Sequence, residues 1–268
     1  MTLVSNFRKL RGFQAVAGFV FVVLLYFIVF SGSSSDSFTP EEINSMLQYK
    51  DSEIRIRKTE LTALGLKKPY FDQSTSKMKN WLSRGNTVVN NNAYVRLTRQ
   101  SPSQAGSIFA HTPIQAESFE MELTFHIHGN SRVGLYGDGM AIWLIDQKSE
   151  IGDVFGAKNY FNGLGIFVDT YKNGKRGTFP YVSIMQGNGQ IGYDKHTDGV
   201  ETRMAGCHLA VVNPESGKTK ARLVYIKDGY FSLDFDLSGK GTEWKNCVTL
   251  SGIQLPSIKY LGLSAETG

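Results

Sequence analysis

Asp169-Thr-Tyr-Lys-Asn173-Gly174 opens like a calcium-binding EF-hand loop, with oxygen donors at the first and fifth positions and glycine at the sixth. The twelfth position, where such a loop needs a bidentate glutamate, is Pro180, and the flanks read as strands, so the EF-hand is excluded. A hard-cation site built from loops of a β-scaffold survives, because Asp169, Asn173 and Asp198 can all supply oxygen. Gly187-Asn-Gly-Gln-Ile-Gly192 has the spacing of a dinucleotide-binding turn and comes after the strand-like run 181–185. It leads into Tyr193-Asp-Lys-His196, however, and not into an apolar helix whose N-terminus could meet a pyrophosphate. Asn188-Gly189 is better read as a tight hairpin turn, where both residues tolerate positive φ. Glu120 and Glu122 share one strand face, but the next position on that face is Thr124. They read as solvated carboxylates and not as the facing pair of a glycoside hydrolase. His126 and His128 continue the same face without a third nearby ligand, which favours a solvated face over a metal site.

The elements that must carry these residues are strands. Phe119, Met121, Leu123, Phe125 and Ile127 alternate with polar residues over 119–128, the pattern of a half-buried antiparallel strand. Residues 221–226 and 230–237 form a second such pair around Lys227-Asp228-Gly229, a hairpin signal. The runs 140–145 and 163–168 are continuously apolar, consistent with strands buried on both faces. The period-two pattern begins near residue 61, with no long helix beyond it. Many short strands with Gly, Asn and Asp turns imply an all-β sandwich, of jelly-roll type. Composition agrees: of 268 residues 41% are hydrophobic and 12% aromatic, with 28 Gly against 7 Pro, which excludes a disordered or fibrous chain. Two Cys are too few for a disulfide-dense scaffold or a four-thiolate zinc site.

Residues 13–30 are an uncharged apolar run preceded by Arg8, Lys9 and Arg11. That arrangement favours a cytosolic N-terminus and translocation of the residues beyond the run. A cleavable signal peptide (residues 1–32) and an uncleaved signal anchor that holds the chain to the membrane both fit. The net charge is +5, but residues 1–32 hold three cations and no acid, so only +2 remains beyond them. Nucleic acid is not an expected partner. Residues 33–60 read as a stem: a Ser-rich linker (31–37), then a short charged helix over 39–58 opened by Thr39-Pro40-Glu41-Glu42.

Several segments, taken in order, carry a resemblance. They are Tyr136-Gly-Asp-Gly-Met-Ala-Ile-Trp143, Asp153-Val-Phe-Gly156, Gly163-Leu-Gly-Ile-Phe-Val-Asp-Thr-Tyr-Lys-Asn173, Phe179-Pro-Tyr181, Tyr193-Asp194 through Asp198-Gly199, Ala205-Gly-Cys207, Glu243-Trp-Lys-Asn-Cys247 and Gly262-Leu-Ser-Ala-Glu-Thr-Gly268. Over 61–268 the chain resembles the L-type (legume-type) lectins of the early secretory pathway, nearest to the vesicular integral-membrane lectins, including fungal members. The resemblance implies a concanavalin-like jelly roll that binds calcium and the high-mannose N-glycans of glycoprotein cargo between ER and Golgi, without catalysis. It assigns Asp138 as acceptor for mannose hydroxyls beside a non-proline cis peptide. It assigns Asp169, Asn173, Asp198 and the backbone carbonyl of Tyr171 as calcium ligands. Asn173, Asp198, Ser103 and Gly268 would also face the sugar, and Cys207 would pair with Cys247.

The same resemblance brings two departures. Where animal members have a sugar-facing His, this chain has Lys195, with His196 one place later. In a strand or extended loop that shift points the side chain the other way, although Lys195 can still donate to a sugar. The family also continues past the position of Gly268 with a further sugar loop and a last strand, so the lectin domain is expected to be cut within its binding loop, with marginal stability. No Asn-x-Ser/Thr sequon is present. A non-lectin interaction protein on the same sandwich, and less favourably a glycan hydrolase, are the alternatives.

Overall fold

In a computed structural model the described residues are 58–72, 74–75, 77–130, 136–175, 177–227 and 229–268. The apolar run 13–30, the linker 31–37, the 39–58 helix but for its last residue, and Asp228 lie outside them. Among the described residues no helix is long and apolar enough to cross a membrane.

Among the described residues thirteen strands succeed one another in chain order. They are β1 (Trp81–Gly85), β2 (Val88–Asn90), β3 (Tyr94–Arg96), β4 (Gln104–Ala110), β5 (Phe119–Phe125), β6 (Gly139–Ile145), β7 (Asn162–Asp169), β8 (Tyr181–Asn188), β9 (Ala205–His208), β10 (Thr219–Ile226), β11 (Tyr230–Asp236), β12 (Lys245–Leu250) and β13 (Tyr260–Thr267). A seven-stranded sheet runs β1-β4-β13-β6-β7-β8-β9, and a four-stranded sheet runs β12-β11-β10-β5. A small β2-β3 ribbon stands apart from both sheets. The sandwich expected from the sequence is therefore present.

The core between the sheets takes Met140, Ile142 and Leu144 from β6, Leu164, Ile166 and Val168 from β7, and Leu223, Phe231, Leu233 and Phe235 from the opposite sheet. The intervening side chains of β6 and β7 face the other way, into a second cluster of Ala141, Trp143, Ile145 and Phe167 with Phe155, Phe161 and Tyr193. Trp143 lies edge-on to Phe161 and Phe167, at ring-centroid distances of 5.0 and 5.4 Å. Its indole N–H, which must find an acceptor when buried, donates to Ser264 Oγ at 2.8 Å. Two apolar layers on one sheet explain why 140–145 and 163–168 lack polar alternation.

Four expectations need adjustment. The chain over 61–80 is mostly loop, with a 3-10 helix at Thr62–Leu64, and the first strand begins at Trp81. The alternating strand ends at Phe125, because Ile127 leaves the four-stranded sheet to form an isolated parallel bridge with Val212. Asn188-Gly189 does turn the chain, with Asn188 Oδ1 accepting the amides of Gln190 and Ile191 at 2.9 and 3.0 Å. It does not close a two-residue hairpin, since β9 begins only at Ala205. Lys195 lies in a short 3-10 helix, Lys195–Thr197, within that loop and not in an extended segment.

Candidate functional site

The register of three central strands builds the site. Gly139, the first residue of β6, pairs with Asp169 at the end of β7 and with Glu266 near the end of β13. Asp138 immediately precedes Gly139 and is joined to Gly137 by a cis peptide bond. Gly139 has φ 145°, and a Cβ there would stand 2.1 Å from the Val168 carbonyl oxygen, so only glycine admits this close strand contact. The Asp138 N–H donates to the Glu266 carbonyl at 3.1 Å, and the Asp138 carbonyl accepts the Thr170 N–H and hydroxyl at 2.9 and 3.0 Å. Both flanking strands thus fix the acid that begins β6.

Two loops complete the concavity. Asp198 sits at φ 54° behind the 3-10 helix, and its carboxylate accepts the amides of Asn173 and Gly174 at 2.9 and 2.8 Å. Asp169 is 5% exposed and accepts the Tyr171 amide at 3.0 Å and the Tyr193 hydroxyl at 3.1 Å. Asp138, Phe155, Asp169, Asn173, Tyr193 and Lys195 line one concave space. Gly268 adjoins it, since a Cβ there would lie 3.2 Å from Asp138 Oδ1. Ser103 is not among the residues that line this space. It is exposed and precedes Gln104, whose N–H donates to Thr267 Oγ1 at 3.0 Å, and no hydrogen bond joins Ser103 to the acids.

Charge is unbalanced here. Burial, then the neighbouring charges of Asp198 and Asp138, push the Asp169 carboxyl up to about 7, against the lowering bonds from Tyr171 and Tyr193. Asp169, Asp198, the Asn173 side chain and the Tyr171 carbonyl are the hard oxygen donors that calcium takes, and a dication among them would relieve that repulsion. These residues fit the ion. The set has only two carboxylates, and among the described residues no three His, Cys, Asp or Glu side chains form a metal-binding group. His126 and His128 stand with ring centroids 5.7 Å apart and no such third partner.

Lys195 reaches into the site with its ammonium 2.8 Å from both carboxylate oxygens of Glu266 and 3.4 Å from Asp138 Oδ2. Burial alone would lower its pKa, but the bond and charge of Glu266, then those of Asp138, hold it above the ordinary lysine value. Burial moves Glu266 upward as well, partly opposed by Lys195. The two contacts of 2.8 Å have the length of charge-assisted hydrogen bonds. Glu120 and Glu122, by contrast, lie on the solvated face of β5, paired with Lys58 at 2.7 Å and Lys220 at 3.6 Å. The disulfide between Cys207 and Cys247 is formed. Sequence reasoning gave no role to Phe155, Tyr193 or Glu266. All three lie within the segments that carry the resemblance, and Glu266 also shares a face of β13 with Ser264, opposite Leu263 and Ala265.

A two-sheet jelly roll whose central strands bring Asp138, Asp169 and Asn173 into one concave space is of the legume-lectin type. The Legume-like lectin family model matches residues 57–268. Vesicular integral-membrane protein VIP36 of Canis lupus familiaris is 40% identical over 203 residues, or 75% of this chain and 56% of that protein. An L-type lectin-like domain-containing protein of Schizosaccharomyces pombe is 34% identical over 212 residues, or 78% of this chain and 66% of that protein. The crystal structure of the VIP36 exoplasmic/lumenal domain in its Ca2+/Man-bound form matches with a TM-score of 0.70 at 39% identity, covering 75% of this chain and 82% of that one. This chain belongs to the legume-like lectin family. It spans about half the length of the VIP36 proteins it matches, 56% for the canine one.

Proposed function

We propose that this chain is a luminal, calcium-dependent lectin that reads terminal mannose on the high-mannose N-glycans of glycoprotein cargo in the early secretory pathway. The observation that carries the reading is the meeting of Asp138, Asp169 and Asn173 in one concave space at the ends of β6 and β7, with Asp198 holding the Asn173 and Gly174 amides beside it. Solved structures of VIP36 in Ca2+/Man- and Ca2+/Man3GlcNAc-bound forms support it. Asp138 accepts from a sugar hydroxyl, while Asn173 and the backbone at Gly268 meet its neighbours. Calcium, when bound, neutralises Asp169 and Asp198 and pins their loops. The protein performs no covalent chemistry. Residues 1–32 direct or anchor it, 33–60 form a stem, and 61–268 form the lectin domain.

The test is titration of the full chain, in mild detergent, with a high-mannose oligosaccharide in calcium and in chelator. Binding in calcium alone is expected. Equal binding in both conditions would falsify the role of calcium. Absence of sugar binding, with a calcium thermal shift retained, would instead establish a non-lectin interaction protein, a reading favoured by the contact of Lys195 with the acceptor Asp138.

A further inference from the structure

The Lys195 ammonium is shared unequally between two acids. It lies 2.8 Å from each oxygen of Glu266 but 3.4 Å from Asp138 Oδ2, near the outer limit of a hydrogen bond. An unrestrained ammonium beside a carboxylate closes to about 2.8 Å. Here it is held off. Resting on the lectin reading above, we propose that Glu266 is a positioning residue for the sugar acceptor: it draws Lys195 off Asp138, leaving that carboxylate open to a sugar hydroxyl whose oxygen accepts from the same ammonium.

The surroundings permit this. Glu266 is fixed by its strand, pairing with Gly139 on β6 and Ala105 on β4. Lys195 rises from a 3-10 helix capped by Asp194, which accepts the His196 amide at 3.0 Å. The three side chains are 31%, 23% and 20% exposed for Lys195, Asp138 and Glu266. The competition for the ammonium is therefore only partly screened by water. A hydroxyl can donate to Asp138 and accept from Lys195 at once, which neither acid nor ammonium could do alone. A donor and an acceptor side by side suit a hydroxyl-rich sugar.

The experiment titrates the full chain, in mild detergent and saturating calcium, with mannose disaccharide. Wild type, E266Q, E266D and the E266Q/K195Q double variant are compared, with the calcium-induced rise in Tm measured for each. E266Q is expected to bind roughly five- to tenfold more weakly, as Lys195 closes onto Asp138. E266D, which keeps the charge on a shorter arm, should fall between E266Q and wild type. Removing the closing ammonium in the double variant should recover affinity relative to E266Q. The rise in Tm with calcium should be the same throughout. E266Q binding like wild type, a double variant no better than E266Q, or loss of the calcium shift in E266Q each overturns the proposal. A wild type that takes no sugar overturns the lectin reading and this role with it. Any of the three contrary outcomes in the variants, against a wild type that binds sugar, removes the role of Glu266 alone.

Discussion

Tyr193 donates its hydroxyl to Asp169 Oδ2 at 3.1 Å, so a ring of the second apolar cluster holds a buried acid of the proposed calcium loops. The ring centroid is 4.7 Å from that of Phe167 and 5.5 Å from that of Phe155, and a Cβ at Gly199 would stand 2.3 Å from the Tyr193 Cε2 atom. Tyr193→Phe keeps this packing and deletes one donor. Because it leaves a buried carboxylate with one partner fewer, the metal-free protein should lose about 1–2 kcal/mol. Urea unfolding in chelator measures this, and the gap should narrow when calcium is added.

Asp198 is a proposed calcium ligand that also shapes the neighbouring loop. Its two carboxylate oxygens take the Asn173 and Gly174 amides, so they shape the segment that carries the other proposed ligands. Asp198→Ala should remove one charge from the ion and the anchor from the loop together. A ligand that binds only the folded state stabilises by about 2.7 kcal/mol at a hundredfold excess over Kd. The rise in Tm on adding millimolar calcium should therefore appear in the wild type and vanish in Asp198→Ala. A full rise in the variant would place calcium elsewhere.

The strands were legible wherever one side chain in two met water. The alternation of β5 and the β10–β11 hairpin could be read at sight, and the unbroken apolar runs of β6 and β7 announced burial on two faces. Connections were less legible. Asn188-Gly189 looked like a hairpin because local turn chemistry is the same whether the next strand begins at once or at Ala205. The side of the chain on which Lys195 emerges depended on a 3-10 helix that period-two reasoning could not supply. The acids of the site could be named from a family resemblance. The contact between Glu266 and Lys195 spans 71 positions and is set by where β13 enters the sheet, which no local pattern records.

Asp236 offers a pH test away from the sugar site. Burial alone would raise its carboxyl, but the Ser238 hydroxyl and the amides of Gly241, Ser238 and Thr242 outweigh that and hold it down at about 2. A folded pKa below the unfolded value contributes stability that is complete above about pH 4 and is lost as the pH falls towards 2. The wild type should therefore lose stability steeply across that interval. Asp236→Asn should be less stable near neutrality by about 2–3 kcal/mol, because its amide turns an N–H towards other N–H donors. Its acid limb should be shallower. Parallel acid limbs for the two proteins, monitored by circular dichroism, would show that other carboxylates govern the transition.

The disulfide stands where the ladder fails. Between β11 and β12 the register passes from Leu233↔Val248 to Asp234↔Asn246, so Cys247 has no partner opposite it. A bulge of this kind re-aims a side chain, and here it accompanies a bond from the edge of the four-stranded sheet to Cys207 on β9, the edge of the seven-stranded sheet, with a Cα separation of 5.4 Å. Closing a loop of 40 positions stabilises by about 4 kcal/mol in the chain-entropy model. The Cys207→Ala/Cys247→Ala double variant should show that loss in urea unfolding, and reduction of the wild type should reproduce it. Asp138, Asp169 and Glu266 are held by β6, β7 and β13, none of which carries the bridge, so the folded double variant should keep its calcium-induced rise in Tm. Loss of that rise with the fold intact would mean that the sheet edges, and not the three central strands, set the geometry of the site.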